Sequence, residues 1–547
     1  MIQLQNFKPA LLILAAILML SCSSTPVPDL QITVMTTTDV HGYLMAWDYN
    51  TDEPEPRYSL LKAATLVDSI RGSDQHTLLL DAGDWLQGNP FAEYFARTDT
   101  TGSRYPFLTV ADAMQYDAIV LGNHEFNFGL EYLNQQIGMT ESPVLGGNIY
   151  LHGTTDPAYK PYIMREFNGI KTAIIGLTTP GSAVWDRMHV EGILDFGDGV
   201  VAAERYVEEV REAGADVVII LAHSGLTGTT SYSIEGLGME NFGRAVAETI
   251  PGIDLLVLGH THRVAEGEFV TGPDGKQVGV IQAGRWASHL GTAKLNIYRL
   301  DNGDIRVEAK PSIALAVEHV PQKKELADLI SEQHEAVRAY ITAPIARTPE
   351  VWSAREARRE DTPVIDLIQH VQLRETGAMI SSSAAFNTNL SFGPGEITRG
   401  DLASLYPYEN TLFVLEITGA QLREYLEFTS GYYSGVQDGE PVVASGWPGY
   451  NFDMVAGAEY VMDIGRPAGE RITTLTINGE DVQDTQLITL AVNSYRAQGG
   501  GGYSMLSQAR VVREINRSVR SMIEEYLSEK GSIRHEDVFR ENWKLQY

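Results

Sequence analysis

A single cysteine, Cys22, occurs in 547 residues, so the body of the protein can hold no intrachain disulfide and can offer no thiolate as nucleophile or metal ligand. Any reactive centre has to be assembled from His, Asp, Asn and Glu. Basic charge is also in short supply: 41 Lys and Arg stand against 71 Asp and Glu, for a formal net charge of -30. Coating a nucleic-acid polymer needs a basic face that releases counterions, and this composition excludes it. Phosphate binding survives the argument, because a bound divalent cation dominates its own surroundings and distant charge is screened over roughly 10 Å. Hydrophobic residues at 44% and charged residues at 20% describe a globular chain. The apolar run from Ala10 to Leu20 is shorter than the about 20 residues of a spanning helix.

That run follows Lys8 and ends in Ser21-Cys22 ahead of Ser23-Ser24-Thr25-Pro26, which reads as an export signal. A small residue directly before a lone cysteine resembles the bacterial lipobox, with residues 1–21 as signal peptide and Cys22 as the lipidated first residue. A plain secretory signal cut a few residues later is the alternative. The first reading predicts an exported protein lipid-anchored to the bacterial envelope, in the periplasm or at the cell surface, which meets the membrane only through Cys22.

The length exceeds one ordinary core, so two domains are expected. From Gln31 to about Leu300, apolar runs alternate with helical patterns: Ile32-Thr33-Val34, Leu78-Leu79-Leu80, Ala118-Ile119-Val120, Thr172-Ala173-Ile174-Ile175, Val217-Val218-Ile219-Ile220 and Leu255-Leu256-Val257. This predicts an α/β domain over 28–320 with strands buried on both faces. Lys, Glu, Ala and Leu at helical spacing from Gln322 to Tyr340 predict a linker helix within 321–345, and a second domain follows over 346–547.

What comes after the apolar runs carries the chemistry. Thr38-Asp39-Val40-His41-Gly42, Asp81-Ala82-Gly83-Asp84, Gly122-Asn123-His124-Glu125, Ala222-His223-Ser224-Gly225 and Gly259-His260-Thr261-His262 each deliver ligand-type side chains to a strand end. Ligands of α/β sheets gather beyond the carboxyl ends of the strands, so these segments are expected to converge. Two divalent ions about 3.5–4 Å apart clamp a phosphoryl group and activate water. Asp39, His41 and His262 can hold one ion and Asn123, His223 and His260 the other, with Asp84 bridging. With no sulfur in the set, Zn, Mn, Fe, Co and Mg are all chemically possible.

The pattern Asp-x-His, Gly-Asp, Gly-Asn-His-Glu, His, Gly-His-x-His resembles the calcineurin-like metallophosphoesterases, and the second half resembles the C-terminal domain of the 5'-nucleotidase family. The resemblance implies a four-layer α/β/β/α sandwich joined by a helix to an α+β nucleotide-binding domain and a small-molecule nucleotide substrate; a monomer is expected. It implies that His124 contacts the phosphate and stabilises the transition state or protonates the leaving oxygen, a role suited to an imidazole. Asn127 occupies the place where 5'-nucleotidases of the family carry an Asp beside that histidine; an amide oxygen accepts a hydrogen bond but brings no charge. The resemblance also implies a nucleobase held between two aromatic rings, here Tyr495 and Phe452, or Tyr450 in place of Phe452, with Arg358 and Asn387 near the nucleoside. Stacking tolerates every base.

Several segments are similar to the 2',3'-cyclic-nucleotide 2'-phosphodiesterase/3'-nucleotidase branch: Gly83 to Pro90, Asn127, Trp286 to Gly291, Leu405 to Asn410 and the run Gly499 to Gly502. The Asn-Gly-Gly-Gly-x-Arg segment of 5'-nucleotidases is replaced by Ser382-Ser383-Ala384-Ala385-Phe386-Asn387. A 5'-nucleotidase or UDP-sugar hydrolase, and a non-catalytic surface nucleotide-binding lipoprotein, stand as rival expectations.

Overall fold

A computed structural model describes residues 27–98, 102–232, 234–408, 410–515 and 517–547; residues 1–21, expected to be a signal peptide, and Cys22 lie outside the described residues. In the first half, two sheets pack face to face. One runs Ile305–Ala309, His289–Arg299, Leu30–Thr37, Thr77–Asp81, Ala118–Val120, Val144–Leu145, with Ile313–Ala316 also on His289–Arg299. The other runs Val264–Thr271, Gln277–Ala283, Leu255–Leu258, Val217–His223, Ile170–Thr178, Tyr162–Phe167.

The unbroken apolar runs explain the layering, since successive side chains of a strand face opposite ways. Leu78 and Leu80 enter the core between the sheets with Ile219, Leu221 and Val257. Leu79, between them, points outward into a core built with the helices Leu60–Ser73 and Pro106–Met114. On the far side, Val218, Ile220 and Leu256 pack under Gly199–Glu212 and Gly243–Thr249. Helix Gly199–Glu212 starts where the Asp198 side chain accepts from Val200 and Val201 N–H, filling donors a helix start leaves open. Its Ala202, Ala203, Tyr206, Val207 and Val210 form one apolar face. The result is the four-layer α/β/β/α sandwich. Truncating a fully buried strand leucine such as Leu80 would cost about 2–5 kcal/mol.

The connector is two helices, Lys324–Leu329 and Ser331–Thr342, broken where Ile330 takes φ -116°, ψ 16°. Leu326, Ile330, Val337 and Ile341 are buried in the core of the first domain, so the connector is part of that body. The second domain has one core around a mixed sheet, Asp453–Ala456, Ile380–Ala384, Leu487–Asn493, Leu412–Thr418, Arg510–Ile515. A four-stranded sheet and the helices Pro363–Thr376, Gly419–Ser430 and Val519–Lys530 complete it. Among the described residues no helix is long and apolar enough to cross a membrane.

Candidate active site

Strands Leu30–Thr37, Thr77–Asp81 and Ala118–Val120 run parallel, as do Val217–His223 and Leu255–Leu258 in the facing sheet. Their carboxyl ends meet at one edge, and the motif residues follow them there. The loops are held tightly: Asp39, His41, Asp84, His260 and His262 have φ of 50°, 48°, 61°, 71° and 57°. Non-glycine residues in this region cost of order 1–3 kcal/mol each and persist where surroundings impose them, commonly at functional sites. Gly122 is required by the same crowding, since a Cβ there would come within 2.2 Å of Asp84 Oδ1.

Asp39, His41 and His262 offer ligand atoms all within 4.8 Å of one another, and so do Asp39, Asp84 and His223. Asp84 Oδ2 is 3.1 Å from His223 Nε2 and 3.8 Å from His41 Nε2, so one carboxylate oxygen faces both groups. Asn123 Oδ1 lies 3.2 Å from His223 Nε2. His262 Nε2 is 3.3 Å from Asp39 Oδ1 and 3.1 Å from His41 Nε2. His41 Nδ1–H donates to the Gln87 carbonyl at 2.5 Å and His223 Nδ1–H to the Ala82 carbonyl at 2.7 Å. Both rings therefore turn Nε2 inward, the tautomer and orientation a ligating imidazole needs. His260 stands at the rim, outside both groups. Its Nε2 contacts Glu240 Oε1 at 3.0 Å, and its ring lies flat on Trp185 and edge-on to His223. Imidazole nitrogens, carboxylates and an amide oxygen at this spacing fit divalent cations.

Electrostatics agree with that fit. Burial alone would push Asp39 and Asp84 up, but histidines outweigh it. His262 and His223 hold Asp39 below the ordinary value, and His223, His124 and His41 hold Asp84 far below. Burial brings His41 down to about 3 against the pull of Asp84, with His262 and His124 adding to the fall. His223, buried too, is instead raised to about 10 by Asp84. The His223 imidazole and each of the two carboxylates thus stabilise each other's charged forms.

Beside this cluster, His124 N–H donates to Asp84 Oδ1 at 2.9 Å, and its Nε2 is 4.0 Å from Asp84 Oδ2. His124 Nδ1 meets Asn127 Oδ1 at 2.7 Å, and Asn127 Nδ2 donates to Asp186 Oδ1 at 2.6 Å. The adjacent Glu125 is fully buried. Its Oε2 accepts from Asp84 N at 2.9 Å and Gly122 N at 2.6 Å, its Oε1 from Trp85 N at 2.8 Å and Leu86 N at 3.1 Å. It ties the loop of Asp84 to that of Asn123. Sequence reasoning quoted Glu125 only as part of a motif and missed Asp186 and Glu240; no strand end marks either of the last two.

The second domain approaches through Gln87, whose Nε2 donates to the Pro407 carbonyl at 3.3 Å; the same residue's carbonyl orients His41. Tyr408 follows that contact. Tyr495 is half-buried, and burial pushes its hydroxyl up, with Tyr450 and, across the domain boundary, Glu240 adding to the rise. Tyr450, 41% exposed, feels Glu240 and Arg285 of the first domain. Tyr408, Tyr450 and Tyr495 thus lie near enough to influence one another, and Tyr450 and Tyr495 also feel Glu240, the partner of His260.

Phe452 needs correction as a base-stacking ring. It is fully buried among Tyr432, Tyr433 and Trp543, so neither face is open, whereas Tyr450 two residues earlier is exposed. Arg358 is committed to structure: Nη2 donates to the Ala385 carbonyl at 2.7 Å, and the guanidinium lies so close to Gly449 that a Cβ there would collide with it. Asn387 Oδ1 accepts from Asn389 N at 3.0 Å and closes a turn.

The calcineurin-like phosphoesterase family matches residues 32–264, and the 5'-nucleotidase C-terminal domain matches residues 342–508. A 2',3'-cyclic-nucleotide 2'-phosphodiesterase/3'-nucleotidase of Haemophilus influenzae is 30% identical over 534 residues, covering 86% of this chain and 80% of its own length. Its counterpart from Salmonella typhimurium is 29% identical over 544 residues, covering 88% and 83%. A crystal structure of a Staphylococcus aureus protein described as a 5'-nucleotidase superposes with a TM-score of 0.81 at 26% identity, covering 95% of this chain and all of that one. Two matched domains in this order, with the ligand residues at the strand ends of the first, mean that the chain belongs to the 5'-nucleotidase family of calcineurin-like metallophosphoesterases and is a metal-dependent phosphoester hydrolase.

Proposed function

We propose that the protein is an exported phosphoesterase with two divalent metal ions, which opens 2',3'-cyclic nucleotides to 3'-nucleotides and then releases nucleoside and phosphate. The observation that carries this reading is the ligand cluster at the strand ends, met by the second domain where Gln87 donates to the Pro407 carbonyl. A phosphate at the cluster would place the base of the same molecule in a cleft beside Tyr450 and Tyr495 of the second domain. Asp39, His41 and His262 would hold one ion, Asn123, His223 and His260 the other, with Asp84 between them. When bound, the ions supply neutralisation of the phosphoryl oxygens and an acidified water.

The chain's own residues do the rest. His124, fixed through Nδ1 by Asn127, presents Nε2 to the reacting phosphate. In the first step water oxygen adds to phosphorus, the P–O2' bond breaks and its electron pair leaves with O2', which takes a proton. In the second the P–O3' bond breaks in the same way. Tyr450 and Tyr495 hold the base by stacking, so discrimination among bases is weak. The cyclic and 3'-nucleotide branch is favoured over the 5'-nucleotide branch by the names of the Haemophilus and Salmonella relatives and by Asn127. Export with a lipid on Cys22 rests on the N-terminal sequence.

Phosphate release from 3'-AMP, from 5'-AMP, and from 2',3'-cyclic AMP with added phosphatase tests the reading, with Mn or Zn supplied. Release from the cyclic and 3' substrates is expected. Faster release from 5'-AMP would move the protein to the sister branch, and no release from any would leave a binding protein. Loss of membrane association in a Cys22→Ala variant tests the anchor.

A further inference from the structure

Asn127 removes a charge from the place where a carboxylate would support His124, yet a carboxylate stands one bond further on. Asp186 Oδ1 lies 2.6 Å from Asn127 Nδ2, and Asn127 Oδ1 lies 2.7 Å from His124 Nδ1. We infer that Asp186 is a positioning residue, which with Asn127 forms an amide and carboxylate pair in inverted order that locks the reactive orientation of His124. The inference rests on the phosphoesterase reading of this site.

The argument is one of hydrogen-bond polarity. An amide can present either end to a histidine, and the end presented decides which ring nitrogen carries the proton. A carboxylate has no hydrogen to give. With Asp186 behind it, Asn127 must turn its NH₂ backward and its oxygen toward His124, and an oxygen at that position requires a proton on Nδ1. Nε2 is then the nitrogen left for the phosphate. Asp186 is 3% exposed, and its Oδ2 has no hydrogen-bond partner. Burial pushes its carboxyl up to about 8 while the Asn127 hydrogen bond pulls it down toward the ionised form, and it is as the carboxylate that Asp186 can only accept.

Asp186 is itself firmly placed. It joins the short helices Ser182–Trp185 and Arg187–Val190. Its N–H donates to the Ser182 carbonyl at 3.1 Å, and its carbonyl accepts from His189 N–H at 2.8 Å. The preceding Trp185 lies flat against His260. One short segment thus touches both the His124 pair and the rim of the ligand cluster.

Two measurements test this. Asp186→Ala should lower kcat for 3'-AMP and phenyl phosphate about 10- to 100-fold, the range for a lost partner of a site histidine, with KM little changed. It should slow 4-nitrophenyl phosphate much less, since nitrophenolate leaves without a proton. Equal losses on phenyl and nitrophenyl esters would mean a merely structural contact and would overturn the inference. The second measurement keeps side-chain volume, in case the alanine variant folds poorly. Asn127→Asp alone sets two carboxylates against each other and should be slow, and Asp186→Asn alone frees the amide to flip and should also be slow. The double variant N127D/D186N restores one carboxylate and one amide in exchanged order, and should recover activity above both single variants. A double variant no better than the worse single variant would refute the pairing. Wild-type protein that cleaves aryl phosphates but ignores 3'-AMP would sink the nucleotide reading, while the ratio of the two aryl esters would still decide the pair.

Discussion

Arg496 offers the sharpest test of the proposed base stacking in the second domain. All five of its N–H groups are used: Nε to Asp453 Oδ2 at 2.7 Å, Nη2 to Asp453 Oδ1 at 2.8 Å and to the Tyr450 carbonyl at 3.0 Å, Nη1 to Asn451 Oδ1 at 3.2 Å and to the Gly500 carbonyl at 2.5 Å. The side chain is 2% exposed, and Asp453 pulls the guanidinium further above its ordinary value against the effect of burial. Gly501 is needed beside it, since a Cβ there would come within 2.2 Å of Asn451 Oδ1. The pair therefore fixes the segment carrying Tyr450 to the turn that follows Tyr495. Arg496→Met keeps most of the volume but strands Asp453, and removing one partner of a buried ion pair costs about 3–5 kcal/mol. At about 2–4 °C per kcal/mol for a domain of this size, Tm should fall by roughly 6–20 °C. Loss of base stacking, worth about 1–3 kcal/mol, should raise KM for 3'-AMP by about 5- to 150-fold, and kcat/KM for 4-nitrophenyl phosphate should hold. Adding Asp453→Asn removes the stranded charge, so the double variant should regain much of the lost Tm but keep the raised KM. Calorimetry and steady-state kinetics read both. An R496M protein with unchanged nucleotide KM, or a double variant as unstable as the single one, would refute the reasoning.

Glu125→Gln puts an NH₂ group where two backbone N–H donors now point; at about 1–3 kcal/mol for each unmet buried donor, stability should fall by about 2–6 kcal/mol and metal affinity with it, as urea unfolding and calorimetric titration would reveal, and a variant with wild-type affinity would contradict the pinning role. Cation uptake should release a proton from His223: its raised value, about 10, keeps it protonated at neutral pH, so affinity should climb about tenfold per pH unit up to that value, and binding heats that do not change with buffer ionisation enthalpy would refute it. His41, brought down to about 3, adds no second proton. Phe452→Ala should cost about 3–5 kcal/mol of stability, as expected for a core aromatic, while Tyr495→Ala should raise nucleotide KM at nearly constant Tm; the reverse pattern would return Phe452 to the cleft.

The ligand cluster was legible because each member follows an apolar run that can only be a buried strand, and parallel strands bring their carboxyl ends to one edge. Asp39, Asp84, Asn123 and His223 are brought together in this way. The linker was legible in composition but not in shape, since helical spacing continues through Ile330 while its backbone does not. Phe452 was misread because Tyr450, Asn451 and Phe452 all suit a substrate cleft, and a short 3₁₀ turn over Gly449–Asn451 decides which ring turns outward. Asp186 lies 59 positions from Asn127, in a turn with no apolar run to announce it, so its role exists only as a distance in the folded chain. The division has a physical cause. The candidate ligands of this protein sit at strand ends, and a buried strand leaves an apolar run in the sequence. A residue that orients another side chain needs only one atom at hydrogen-bond distance, and any buried turn can supply it.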